Sequence, residues 1–366
     1  MLDGMSAHSS FTNMAMADSW PLARVMAGMS AVPVGHAVDL AFFFPNEGQQ
    51  RHDALIAETR RHLGGCVTSI ELALRLALAQ TPDVASALDR SPSAIAWAMI
   101  RAQPSLISPA LLANMEMRAA VTMMLRQFGQ ADVEQLNEQD DGLSSSADGG
   151  QLGDALSALA LAEGRWLAMG GEDTPMKPDL PAEHFTELMW TVAACLTLAA
   201  QRTMTECGER LLSAVDRAGW ALLADHDETT CPIAQADRLV RRMDAQADAP
   251  DLLGKFLEQR RFLPFAAVAA RRLRMNSIQV VTMLVTGPVA QVATLCRALG
   301  GSDADYRHLL LALRPVRPNL TDAAIVAEAD RYQALSEDQA DSMIGQLRTS
   351  PAFRAKLDHL RAVIKL

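Results

Sequence analysis

Within seven residues, "DHDETTC" (225–231) offers Asp225, His226, Asp227, Glu228 and Cys231, all able to bind a metal ion or carry a proton. A metal centre needs such ligands to converge, with support from a second cluster or from two His one helical turn apart. Neither HxxxH nor HExxH occurs in the chain. The economical reading is therefore a polar loop between helices, with no metal and no cofactor. A serine or cysteine nucleophile has no GxSxG-type setting either, so the chain is expected not to be an enzyme. His62 and His184 fall on predicted helices, where an exposed His is the acceptor in phosphotransfer signalling. The alternative for each is a His satisfied by a neighbour such as Glu187.

A second chemical signal is charge. Lys255, Arg260, Arg261, Arg271, Arg272 and Arg274 face only Glu258 across 255–274, in a chain of net charge −10. If they share a face, they would attract an acidic partner segment, including the chain's own 131–154 stretch. Otherwise their stems lie over apolar surface while their heads solvate helix ends. The same region reads as a helix-turn-helix over 264–286, with a turn near Arg274–Asn276 and a second helix from Ser277. A DNA reader would present polar side chains to base edges. Here Ile278, Val280, Val281, Met283 and Leu284 leave only Gln279 and Thr282 to do so, which favours a buried helix in a stack. Gly287 stands without the further glycines and Lys-Ser/Thr of a phosphate loop; it ends one helix before Pro288 opens the next.

These residues must be positioned by helices. Aromatic residues are 5% of the 366 and apolar residues 49%, with Ala, Leu and Met abundant, which favours helix over sheet. The negative net charge disfavours nucleic acid and anionic lipid as partners. Cys66, Cys195, Cys207, Cys231 and Cys296 are scattered, which fits reduced thiols in a cytoplasm and small buried side chains at 195 and 296. The uncharged stretch at 188–200 is short of the roughly 20 residues of a membrane span.

The chain divides into an N-terminal arm (1–36), a bundle of long helices (37–248) and a stack of short helices (249–366). Long periodic stripes occur at 46–80, 108–128 and from Phe185 to Leu222, with Gly64-Gly65 a predicted kink in the first. Residues 131–154 hold seven acidic and no basic residues, and read as a solvated loop. The Met-rich run 113–128 reads as core. Beyond 249 the helices are punctuated by Pro, Gly and caps such as Ser302, Thr321 and the Ser336/Gln339 capping box.

"VDLAFFFP", "SIELALRLALA", "ALLADHD", "LPFAAVAARRLRMNSIQVVTMLV" and "VATLCRALGGSDADYRHLLLAL" together resemble an uncharacterised, mostly alphaproteobacterial family of all-helical proteins with HEAT-like character. The likeness covers about 38–80 and 185–315, with Gly64-Gly65 and 131–154 as departures. It implies a fold and brings no catalytic residues with it. The expectation for the whole is an all-α, non-catalytic scaffold that binds another protein; the alternatives are a DNA-binding regulator and a phosphotransfer protein.

Overall fold

A computed structural model describes residues 53–90, 94–129, 149–203 and 208–349, and six helical positions from 353 to 364. The arm 1–36, Cys207 and most of the 131–154 stretch lie outside the described residues. Among those described, the fold is all-α, with no strand. The first group of helices is α1 (Asp53–Leu78), α2 (Pro82–Asp89), α3 (Ile95–Ala102), α4 (Pro109–Gly129), α5 (Gly149–Leu167), α6 (Ala182–Thr203) and α7 (Gly208–Ala224). Shorter ones follow: α8 (Pro232–Met243), α9 (Leu252–Glu258), α10 (Phe262–Leu273), α11 (Ser277–Val285) and α12 (Val289–Ala298). The last three are α13 (Asp303–Ala312), α14 (Asp322–Gln333) and α15 (Glu337–Leu347). Helix α5 starts inside the stretch read as a loop: residues 149–154 are its first turns, and Arg242 of α8 hydrogen-bonds Gln151 there.

The helix ends are set by local chemistry. Ser108 Oγ accepts the Leu111 amide at 3.1 Å, and Glu187 of α6 in turn holds Ser108, fixing where α4 begins. Asn276 caps α11 through the Ile278 amide. Reciprocal capping boxes open α13 (Ser302 with Asp305) and α15 (Ser336 with Gln339).

Two apolar cores result. In the first, α1 packs against α4, α6 and α7, with α2 and α3 closing its end. The second gathers α5, α8 and α10 to α15. Helix α4 belongs to both: Leu111, Leu112 and Met115 enter the first core, while Met117, Val121 and Met124 enter the second. Its methionines are thus core, as their helical spacing implied. Helices α10 and α11 form a hairpin, but α12 packs chiefly on the distant α15.

The helix-turn-helix reading fails on burial. Val281 and Met283 are 1% and 3% exposed, and Val280, Leu284 and Val285 are buried beside them. Of the two candidate base readers, Gln279 donates to the Leu347 carbonyl and only Thr282 is exposed. A helix whose apolar side chains are core cannot lie in a major groove without unfolding its surroundings.

Candidate functional site

The densest chemistry lies between the two cores. Helix α1 supplies Glu58, Arg61, His62 and Cys66, and α4 supplies Arg118, Thr122 and Arg126. Trp166 closes α5, and Asp179 comes from the coil 168–181 that follows it. Arg118 Nη1 contacts Asp179 Oδ1 at 2.8 Å, with both side chains almost wholly buried. Trp166 Nε1 donates to the same carboxylate at 3.2 Å, and its ring lies 4.5 Å beneath the Arg118 guanidinium. Glu58 accepts from Arg61 at 2.9 and 2.5 Å and from Arg126 at 2.8 and 3.1 Å. Arg61 also donates to the carbonyls of Trp166 and Ala168, tying α1 to the end of α5.

His62 sits inside this cluster with no exposed surface. Its Nε2 lies 2.9 Å from Thr122 Oγ1, and the Thr122 proton is directed to the Arg118 carbonyl. Burial, seconded by the positive charges of Arg118 and Arg61, pushes His62 down to about 4. Burial alone would raise the Glu58 carboxyl, but hydrogen bonds from His62 and Arg61 hold it down at about 2. Burial pushes the Cys66 thiol up to about 11. The imidazole is neutral and enclosed and the thiol protonated, and the cluster ties the two cores together.

The cluster does set a pH dependence. Unfolded His62 titrates near 6.5 and folded His62 near 4, so between those values the unfolded chain takes up a proton that the folded chain refuses. Stability therefore falls on acidification across that window, by on the order of 2–3 kcal/mol. Glu163, raised to about 7 by burial against the opposing charge of Arg261, works in the other direction. The His62 part is isolated by His62→Gln. The stability gap between parent and variant, from urea unfolding at intervals between pH 7 and pH 4, is expected to shrink towards pH 4. A gap that stays constant would show that His62 does not titrate this way.

Among the described residues, no three His, Cys, Asp or Glu side chains gather where they could hold a metal ion, and Asp225 is exposed. In the 225–231 loop, His226 Nε2 lies 2.8 Å from the Leu180 carbonyl and its ring stacks on Phe185. Asp227 caps the short helix Glu228–Thr230, Glu228 accepts the Ala182 amide at the start of α6, and Cys231 caps α8. These side chains each serve a different helix end. His184 is half-buried, and burial lowers its affinity for a proton. Burial also pushes Cys195 and Cys296 up to about 11, in keeping with apolar packing roles.

The six basic residues do not share one unbroken face. Lys255 pairs with Asp251 at 2.6 Å, Arg271 pairs with Asp248 at 3.1 Å, and Arg272 donates to the Ala249 carbonyl. These contacts fasten 248–251 across α9 and α10. Arg261 lies in a small apolar pocket with Met124, Phe256 and Leu313. Arg260 and Arg274, both exposed and both in the left-handed backbone region (φ 56 and 52), stand at opposite ends of α10. A 12-residue helix separates them by about 18 Å.

A surface that sequence reasoning missed lies at the C-terminal end. An open groove of about 430 Å³ runs between α12, α14 and α15. Its lining is apolar at Val289, Ala293, Leu335 and Met343, and its rim carries the Glu328–Arg331 ion pair. Its volume falls in the range of about 300–1,000 Å³ that holds ligands or a few inserted side chains. Met343 in its lining is 40% exposed. Asp330, Glu337, Asp338 and Asp341 on the same helices are exposed, without an ionic partner among the described residues, but their helical positions turn them away from the lining, so the charge at the groove is the Glu328–Arg331 pair. Glu337 and Asp338 suit the first turn of α15, whereas Asp330 near the end of α14 opposes the helix dipole. The groove was illegible because α12 and α15 are separated by α13 and α14 in the chain. The buried cluster did leave a trace, since Arg118 interrupts the apolar run "NMEMRAAVTMML". No helix among the described residues is long and apolar enough to cross a membrane. No protein family, no curated protein and no solved structure matches this chain.

Proposed function

We propose that this chain is a non-catalytic helical scaffold that binds an amphipathic helix in the groove between α12, α14 and α15. The observation that carries the reading is the groove itself, with its apolar floor and exposed Met343. An apolar trough edged with charge suits a helix that offers residues at i, i+3, i+4 and i+7. The titratable clusters elsewhere support the same reading, because their side chains are engaged in holding helices.

The test compares partner recovery by the tagged chain with recovery by two variants. Met343→Asp places a charge on the groove floor and is expected to abolish capture. Arg260→Glu with Arg274→Glu reverses the exposed basic ends of α10 and is expected to leave capture intact. The opposite outcome would move the binding face to α10.

A further inference from the structure

We infer that the outward face of α8 is a second binding surface, which takes an acidic segment of a partner protein. Helix α8 buries Ile233, Ala236, Leu239, Val240 and Met243 against the second core. Its only exposed side chains are three arginines, Arg238, Arg241 and Arg242. Offsets of three and four residues place them within about 100° of one another and about 6 Å along the helix axis. Asp237, the one acid of the helix, lies near Arg241 but is hydrogen-bonded by Ser277. Arg242 meets the neutral Gln151, and neither Arg238 nor Arg241 forms an ion pair among the described residues.

Elsewhere in the fold, arginines fasten helices. Arg61 holds the carbonyls of Trp166 and Ala168, and Arg317 holds those of Met283 and Leu284. Arg238 and Arg241 fasten no other element among the described residues, and like charges at such spacing disfavour the helix that carries them. A matching set of carboxylates removes that repulsion.

Charge fixes the chemistry of the occupant, and the size of the stripe fixes its class. Guanidinium forks pair with carboxylates through two parallel hydrogen bonds, and a short acidic segment can cover all three at once. A nucleic acid carries about one charge per 1.7 Å and needs a longer basic track. The track ends with α8, because exposed Asp244 follows it directly, and the chain as a whole carries a net charge of −10. An extended phosphate polymer therefore meets more repulsion than attraction here, whereas a few carboxylates do not. The stripe shares no residue with the groove between α12, α14 and α15, so either reading stands if the other fails.

Fluorescence anisotropy on the full chain tests the surface with two labelled probes, an oligoglutamate peptide and a DNA duplex. The peptide is expected to bind saturably and to weaken as salt screens the contacts. Arg238→Glu with Arg241→Glu is expected to weaken it at least about tenfold, in line with reversing two exposed ionic contacts. Arg210→Glu with Arg217→Glu on α7 changes the net charge equally and is expected to leave the affinity nearly unchanged. All four positions are exposed, and unchanged far-UV circular dichroism shows that each variant folds. If the α8 reversal unfolds the chain, Arg238→Gln with Arg241→Gln removes the same charges without adding new ones and is expected to weaken binding in the same direction.

Equal weakening by the α8 and α7 pairs would mean that overall charge, and not this face, draws the peptide; that result overturns the proposal. No saturable peptide binding at low salt does the same. A DNA duplex bound more tightly than the peptide, and released by the α8 pair, would make the stripe a phosphate surface and overturn the partner class named here.

Discussion

Replacing Asp179 with Ala is expected to destabilise the fold by about 3–5 kcal/mol, because it strands the Arg118 guanidinium inside the protein. Asp179 Oδ1 is the carboxylate oxygen that meets Arg118 Nη1, and Nε and Nη2 of that arginine have no hydrogen-bond partner among the described residues. With Asp179 gone, only the Asp179 main-chain carbonyl and the Trp166 ring remain to offset the buried charge. Trp166 Nε1 loses its acceptor in the same step. Replacing the pair together, Arg118→Met with Asp179→Leu, is expected to recover most of that loss, since an apolar pair carries no desolvation cost. Urea unfolding at pH 7 on parent, single and double variants measures both effects. An Asp179→Ala chain within about 1 kcal/mol of the parent would mean that water reaches Arg118 and that the cluster is not enclosed.

Gly64→Ala is expected to destabilise by about 2 kcal/mol, against the direction that helix propensity sets. Within a helix, Ala is favoured over Gly by about 1 kcal/mol. Helix α1 runs unbroken through Gly64-Gly65, and the pair lets the coil 168–181 approach its backbone closely. A Cβ at Gly64 would lie 2.2 Å from the Glu172 carbonyl oxygen and 3.0 Å from the Trp97 ring. The coil 168–181 cannot retreat freely, because Glu172 is held by Arg60 at 2.8 Å and by Trp97 Nε1 at 3.3 Å. One turn of coil further on, the Met176 amide donates to the Gly65 carbonyl at 3.0 Å. Forcing a methyl into such a contact typically costs about 1–3 kcal/mol and here displaces backbone, which yields least. Gly164→Ala in α5 is the control. Nothing lies within 4 Å of its added Cβ, so that variant is expected to gain about 0.5–1 kcal/mol. If both variants gain stability, the coil is not held against α1.

The sequence by itself determined the helices. The stripe from Phe185 to Leu222, the caps at Ser108, Asn276, Ser302, Thr321 and Ser336, and the breaks at Gly287-Pro288 all act within a turn or two of chain. Local chemistry of that range is written in consecutive residues. It also marked α11 as too apolar for a DNA groove. Side chains that act across the chain were another matter. Arg118 meets Asp179, Glu58 meets Arg126, and Gly64 meets Glu172, each across many tens of residues and with no periodicity to announce the pairing. Likewise, the spacing of six basic residues left open whether they share one face, and only the α9–α10 hairpin decided that Lys255 and Arg271 are neutralised beside it and that Arg260 and Arg274 stand at opposite ends. The groove arises because α12 packs on α15 instead of on the helices next to it in the chain. That choice depends on which apolar faces remain open once the core has formed, so it belongs to the tertiary structure.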